Sequence, residues 1–262
     1  MHEKNNLASI SAEKCGRSFS VYSSVDSTNN LLKKQADVLP DGHLVIALEQ
    51  LSGRGRQGKS FYSPGGEGLY MSLLFKDERI VTDELFTARI SLAVCRAIDR
   101  ITGTDNSNGV GIKWVNDIYF AGKKLCGILC ERFSTTSGRM NVVAGIGVNI
   151  KTDHANLPKD IRNIAASLYD FTNNEYDKYL LCRYICEETE KVFDESFTSE
   201  DAITEYKRRS VVIGREIIVH RQDEQVRAAA LDICEDGSLL VRTEDGMTGK
   251  LRGGEISIRV KR

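Results

Sequence analysis

The chain has 262 residues, 36 basic and 37 acidic side chains and 41% hydrophobic residues, the make-up of a globular protein long enough for one large domain and a small one. So even a charge balance leaves no field to hold a polyanion, and non-specific nucleic-acid binding is not suggested. No apolar run approaches the roughly 20 residues that span a bilayer, and residues 1–20 lack the apolar core of a signal peptide, so a cytoplasmic location is expected.

Residues 26–36, Asp-Ser-Thr-Asn-Asn-Leu-Leu-Lys-Lys-Gln-Ala, read as a helix start that Ser27 or Thr28 would cap. Residues 43–49 form a short apolar strand. The next segment, Gly53-Arg54-Gly55-Arg56-Gln57-Gly58-Lys59-Ser60, satisfies the phosphate-loop pattern letter for letter. Such a loop works by opening into a helix whose N-terminus faces the phosphates. Here Phe61 to Gly68 is aromatic and then rich in Pro and Gly, and it leads into a strand at 69–75, which argues against that reading. Two readings stay open. Glycines that let the backbone move, alternating with arginines whose forked donors suit carboxylate or phosphate, describe a cationic lid; a solvated basic hairpin tip has the same composition.

Residues 83–101 place Leu85, Phe86, Ile90, Val94, Ala97, Ile98 and Ile101 at helical spacing, with Gly103 just past the end. Strands are expected at 112–120, 124–133 and 140–150 as an antiparallel meander, the first two joined through Ala121-Gly122-Lys123. Helices follow at 176–197 and 201–208. Beyond Gly214, segments at 217–221, 226–233, 239–242 and 256–260 separated by Asp-Gly and Gly-Gly turns read as a small β-barrel. A boundary near 210 divides the chain into domains 1–210 and 211–262.

Seven cysteines fall in core-like segments such as Leu92-Ala93-Val94-Cys95, which predicts buried reduced thiols. Cys126 and Cys130, like Cys182 and Cys186, do not have zinc-site spacing, and His2, His43, His154 and His220 are scattered, so no dedicated protein metal site is predicted.

Polar clusters mark the strand ends. Lys113-Trp114-Val115-Asn116-Asp117 crowds a cation, the single tryptophan, an amide and a carboxylate together; a ligand site and a solvated turn with a structural Trp both fit. Lys124, before Leu125-Cys126-Gly127, is either an edge gatekeeper or a group aimed at a ligand. Gly145 and Gly147, in Ala144-Gly145-Ile146-Gly147-Val148-Asn149-Ile150, would admit a planar ligand beside Asn149, or mark a bulge with a capping Asn.

Taken in order, Asp26-Ser27-Thr28-Asn29, Gln50 with residues 53–58, Lys113 to Asp117, Lys124 to Leu129, Gly145 to Asn149, and Gly254-Glu255-Ile256-Ser257-Ile258-Arg259 closely resemble the motifs of the biotin protein ligases. The resemblance covers nearly the whole chain. It implies an α+β fold: a mixed-sheet catalytic domain of the biotin/lipoate ligase type, then an SH3-like C-terminal domain. It also implies activation of biotin by ATP, with Mg as activator, to biotinyl-5′-AMP, and transfer to one lysine of a biotin carboxyl carrier domain. In that family the residues matching Ser27, Thr28, Asn29 and Gln50 line the ureido pocket, and the loop matching Arg54, Gly55 and Arg56 folds over biotin and adenylate. The lysine matching Lys124 reaches the carboxylate and α-phosphate. Phe61, Lys113, Asn116, Asn149 and Arg259 are the candidate adenylate contacts, and homodimers are common.

Charge supports these roles. Biotin's carboxylate is already ionised at neutral pH, so activation needs cations rather than a base, which Arg54, Arg56, Lys124 and Mg would supply. The acceptor lysine must lose a proton, and Asp117 is the candidate to orient that amine or take it. Three departures stand out. Val115 replaces a usual proline, which predicts a looser turn. Phe61 replaces a common tryptophan. About 25 residues precede Asp26, too few for the winged-helix domain of the repressor members, so no DNA partner is expected. The alternatives are a lipoate or octanoate ligase, whose Arg-Arg-x-Ser-Gly-Gly-Gly-type stretch is missing, and a non-enzymatic biotin-sensing module.

Overall fold

The computed structural model describes residues 7, 9–104, 109–221 and 224–258. In chain order its main elements are β1 (Phe19–Tyr22), α1 (Thr28–Gln35), β2 (Leu44–Ala47), β3 (Gly68–Phe75), α2 (Glu78–Val81), α3 (Phe86–Thr102), β4 (Gly111–Lys113), β5 (Asp117–Phe120), β6 (Lys123–Ser134) and β7 (Met140–Asn149). Then follow α4 (Leu168–Thr172), α5 (Lys178–Phe193), α6 (Ser199–Arg209), β8 (Glu216–Arg221), β9 (Glu224–Ile233), β10 (Leu239–Thr243), β11 (Thr248–Leu251) and β12 (Glu255–Ile258).

The first sheet has seven strands in the order β1-β2-β3-β7-β6-β5-β4. Only β1 and β2 run parallel, so the sheet is mixed. β2 and β3 are buried along their whole length, because helices cover both faces. On one side α3 and α5 pack together, and Phe75, Phe86 and Phe193 meet with ring centroids 5.3–5.7 Å apart. On the other, α1 lays Leu32 and Ala36 on Val45, Leu74 and Val143. α1 covers only part of that face, and the remainder holds the cavity described below.

The C-terminal strands form an antiparallel sheet in the order β11-β10-β9-β8-β12, consistent with the expected SH3-like unit. It is fastened to the main body by Trp114 Nε1, which donates to the Gly237 carbonyl at 3.0 Å, and by Lys207 Nζ, 2.7 Å from Asp232 Oδ2.

Two expectations need correction. The single strand at 112–120 is two strands, β4 and β5, hairpinned through Trp114-Val115-Asn116. That turn holds because Trp114 is buried, Tyr206 Oη donates to the Val115 carbonyl at 3.0 Å and Asn116 is bonded through both ends of its amide, so side-chain contacts replace turn-forming residues. Ser27 occupies the N-cap position of α1 but makes no capping bond, and Thr28 is turned to Gln50 instead. The β5–β6 turn matches expectation: Ala121 and Gly122 are both left-handed (φ 47° and 79°), as a two-residue hairpin turn requires.

Candidate active site

On the open part of the sheet lies a cavity of about 580 Å3, large enough for a nucleotide-sized ligand. Its floor is β6 and β7, its sides are the start of α1 and the segment from Gln50 to Pro64, and Arg215 with Gly254, Ile256, Ser257 and Ile258 closes it from the C-terminal part of the chain. Ser27, Thr28, Asn29, Gln50, Arg54, Gly55, Arg56, Phe61, Lys113, Asn116, Asp117, Lys124 and Asn149, far apart in sequence, all line it. Arg259 lies outside the described residues.

A buried polar network builds one end. Thr28 donates to Gln50 Oε1 from its backbone N–H (3.0 Å) and hydroxyl (3.1 Å), Gln50 Nε2 donates to Ser63 Oγ (3.0 Å), and Ser63 Oγ donates to the Phe61 carbonyl (2.9 Å). Ser72 Oγ stands 2.7 Å from both Thr28 Oγ1 and Asn29 Oδ1. Asn29 Nδ2 donates to the Leu129 carbonyl (3.1 Å) and Glu131 Oε2 (2.8 Å). Each amide is thereby held in one orientation, which fixes the polar groups at this end of the cavity.

The glycine-arginine segment forms a tight reverse turn, with Gly55 N–H bonded to the Lys59 carbonyl at 2.7 Å and Arg54 bridged to Ser60. It opens into no α-helix, which removes the phosphate-loop reading. Arg54 Nη1 reaches Asn30 Oδ1 at 3.0 Å and lies 3.6 Å from Glu131 Oε1. Arg56 Nη1 donates to Asn116 Oδ1 at 3.2 Å, while Asn116 Nδ2 donates to the Ile128 carbonyl. The two arginines thus tie the segment to the cavity walls, while its tip from Gln57 to Ser60 is exposed to solvent.

At the floor Lys124 Nζ is 2.7 Å from Asp117 Oδ1 and 5.9 Å from the Phe61 ring centre. Lys113 Nζ donates to Tyr119 Oη at 3.3 Å, and Asn149 Nδ2 donates to the Ala166 carbonyl at 2.9 Å. The β7 glycines pair in continuous register, so the bulge reading fails. The space they leave is filled by the protein itself: a Cβ on Gly145 would fall 2.3 Å from Asn29 Oδ1, and one on Gly147 2.4 Å from Phe61 Cε1. Arg54, Arg56, Lys59, Lys113, Lys124 and Arg215 face the cavity against Glu67 and Asp117, so the lining favours an anion.

Ser63, Ser72 and Glu131 were missed from sequence. Ser72 is the one aliphatic hydroxyl in the run Leu69-Tyr70-Met71-Ser72-Leu73-Leu74-Phe75, and the half-buried Glu131 follows the apolar stretch Ile128-Leu129-Cys130; a polar group set into an apolar strand was the available signal. Ser63 gave none.

A mixed sheet bearing a cation-lined cavity with a rigid polar end is a framework suited to an anionic, nucleotide-sized ligand. The biotin/lipoate A/B protein ligase family matches residues 21–149, and the biotin protein ligase C-terminal domain matches residues 212–259. A bifunctional ligase/repressor of Bacillus spizizenii is 28% identical over 79% of this chain, which spans 64% of that relative's length. A biotin–[acetyl-CoA-carboxylase] ligase of Mycobacterium tuberculosis is 26% identical, over 94% of this chain and 91% of its own. The structure of the Aquifex aeolicus biotin protein ligase in complex with biotin and ATP superposes with a TM-score of 0.75 at 26% identity, covering 94% of this chain and 100% of the other. The chain belongs to the biotin protein ligase family.

Proposed function

We propose that the protein is an ATP-dependent biotin ligase that forms biotinyl-5′-AMP and transfers the biotinyl group to a lysine of a biotin carboxyl carrier domain. The observation that carries this reading is the convergence on one cavity of a fixed amide-and-hydroxyl end with a cationic remainder. The rigid end suits a neutral ureido ring, and the cations suit a carboxylate beside a triphosphate. A lipoate ligase is disfavoured by the match of the biotin-specific C-terminal domain.

In the first step a biotin carboxylate oxygen attacks the α-phosphorus of ATP; the bond to the bridging oxygen breaks and pyrophosphate leaves. No proton moves, so the residues act by charge: Arg54, Arg56 and Lys124 offset the repulsion between two anions and hold them in line. Lys124, pinned by Asp117, is preorganised for this. Mg would arrive as the counter-ion of the triphosphate, which needs the phosphates and at most one or two carboxylates rather than a dedicated protein cage. In the second step the lysine amine attacks the acyl carbon, the C–N bond forms, AMP leaves and the nitrogen sheds a proton. Asp117 is the nearby carboxylate to orient the amine and take that proton. The segment at 53–60, which forms one side of the cavity, shields the anhydride from water.

We assign Ser27, Thr28, Asn29 and Gln50 to the ureido ring, and Phe61, Lys113, Asn116 and Asn149 to the adenylate. The chain divides near residue 210, and its even charge balance offers no non-specific hold on a polyanion. Pyrophosphate release with biotin, lipoate or neither, followed by mass measurement of a carrier domain, tests the proposal; release that ignores biotin would contradict it.

A further inference from the structure

Glu131 does not line the cavity, yet two side chains that do, Asn29 and Arg54, converge on it together with Lys33 of α1. Its Oε2 accepts from Asn29 Nδ2 at 2.8 Å, its Oε1 from Lys33 Nζ at 2.9 Å, and Arg54 Nη1 lies 3.6 Å from the same Oε1. Burial would lift this carboxyl, but hydrogen bonds from Lys33 and Asn29 and the nearby Arg54 hold it below the usual range, so it stays ionised at neutral pH. Arg54 in turn has two anchors, Asn30 Oδ1 at 3.0 Å and Glu131, and its side chain remains 46% exposed. The arginine at the side of the cavity is thus held by an internal carboxylate of the same chemical kind as the ligand's.

We propose that Glu131 is a positioning residue that parks Arg54 at the side of the cavity and competes for it with the incoming biotin carboxylate or adenylate phosphate. The proposal rests on the ligase reading above. Lys33 stays beside Glu131 when Arg54 leaves, so its carboxylate keeps a partner. Arg54 must give up the Glu131 contact in order to bind, and half-exposed ion pairs of this kind shift an equilibrium by roughly two- to fivefold. Loss of the carboxylate's charge therefore favours ligand binding, the opposite of what loss of a merely structural residue would do.

The test is steady-state pyrophosphate release by wild type, Glu131→Gln, Arg54→Ala and the double variant, with thermal unfolding of each. Gln keeps an oxygen for Asn29 Nδ2 and removes the charge. The expected result is a KM for biotin lowered roughly two- to fivefold with kcat changed by less than about twofold, and no such change when Glu131→Gln is made in the Arg54→Ala background. A raised KM, a fall in kcat, or an effect that persists without Arg54 would overturn the proposal while leaving the ligase reading intact. Wild type that releases no pyrophosphate in response to biotin would remove the ligase reading and this proposal with it. Should Glu131→Gln not fold, Asn30→Ala, which frees Arg54 from its other anchor, must lower the KM in the same Arg54-dependent way; an unchanged or raised KM there overturns the proposal.

Discussion

Lys124 Nζ and Asp117 Oδ1 stand 2.7 Å apart at the floor of the cavity, joining the start of β5 to the start of β6. The pair separates the two chemical steps. Lys124→Ala removes a cation from the charge developing on the α-phosphate and is expected to lower biotin-dependent pyrophosphate release by about 100-fold or more. Asp117→Asn keeps Lys124 in place and is expected to leave release within about tenfold of wild type while transfer to the carrier lysine falls further. Parallel assays of pyrophosphate and biotinylated carrier check this, and full transfer by Asp117→Asn would remove it from the mechanism.

The two β7 glycines make a paired prediction. A Cβ on Gly145 meets Asn29, which is bonded at both ends of its amide and 3% exposed, so Gly145→Ala disturbs a network that cannot yield and is expected to destabilise the fold by about 1–3 kcal/mol. A Cβ on Gly147 meets the edge of the Phe61 ring, which is partly exposed and can swing aside. Gly147→Ala should therefore unfold near the wild-type denaturant midpoint and lose ATP affinity. Denaturant titration with nucleotide binding separates the two.

Trp114 couples the site to the C-terminal sheet through its bond to Gly237. Trp114→Phe leaves that carbonyl without its donor and should cost about 1 kcal/mol, whereas Trp114→Ala also opens a cavity and should cost about 3–5 kcal/mol. Equal losses in chemical unfolding would show that the hydrogen bond, not the packing, holds this contact.

Much of this was legible in the residues. The continuous apolar runs of β2 and β3 and the helical period of α3 are strong signals, and the motif blocks named the cavity lining before its shape was known. β1 has the pattern Phe-Ser-Val-Tyr, partly exposed throughout, and β11 is Thr-Gly-Lys-Leu with one buried residue, so neither carries a period to read. The β4–β5 turn was masked in the propensities because Trp114 and Val115 are strand formers, and contacts from Tyr206, Gly237 and Arg56, distant in sequence, hold the bend. Thr28 read as a cap because Gln50, its actual partner, is 22 residues away. Ser72 and Glu131 hold the motif residues without belonging to a motif.

Glu187 predicts an acid limit to stability. Burial opposes its charge, but hydrogen bonds from Arg183, Ser11 and Arg100 outweigh that and bring its pKa to about 2. A depressed carboxyl pKa adds stability that is fully present above the unfolded value near 4.3 and is lost as pH falls from there towards 2. The contribution is about 3 kcal/mol at neutral pH. Urea unfolding from pH 7 to pH 2.5 should show the decline, and Glu187→Gln should be less stable at pH 7 with a flatter profile; parallel profiles would contradict the assignment.

The most direct test of the account is pyrophosphate release from ATP and Mg by the purified protein, with biotin, with lipoate and with neither, beside the Arg54→Ala variant. The account predicts release only with biotin, and a fall of about 100-fold in the variant. Release with lipoate alone, release without any acid, or none at all would contradict it.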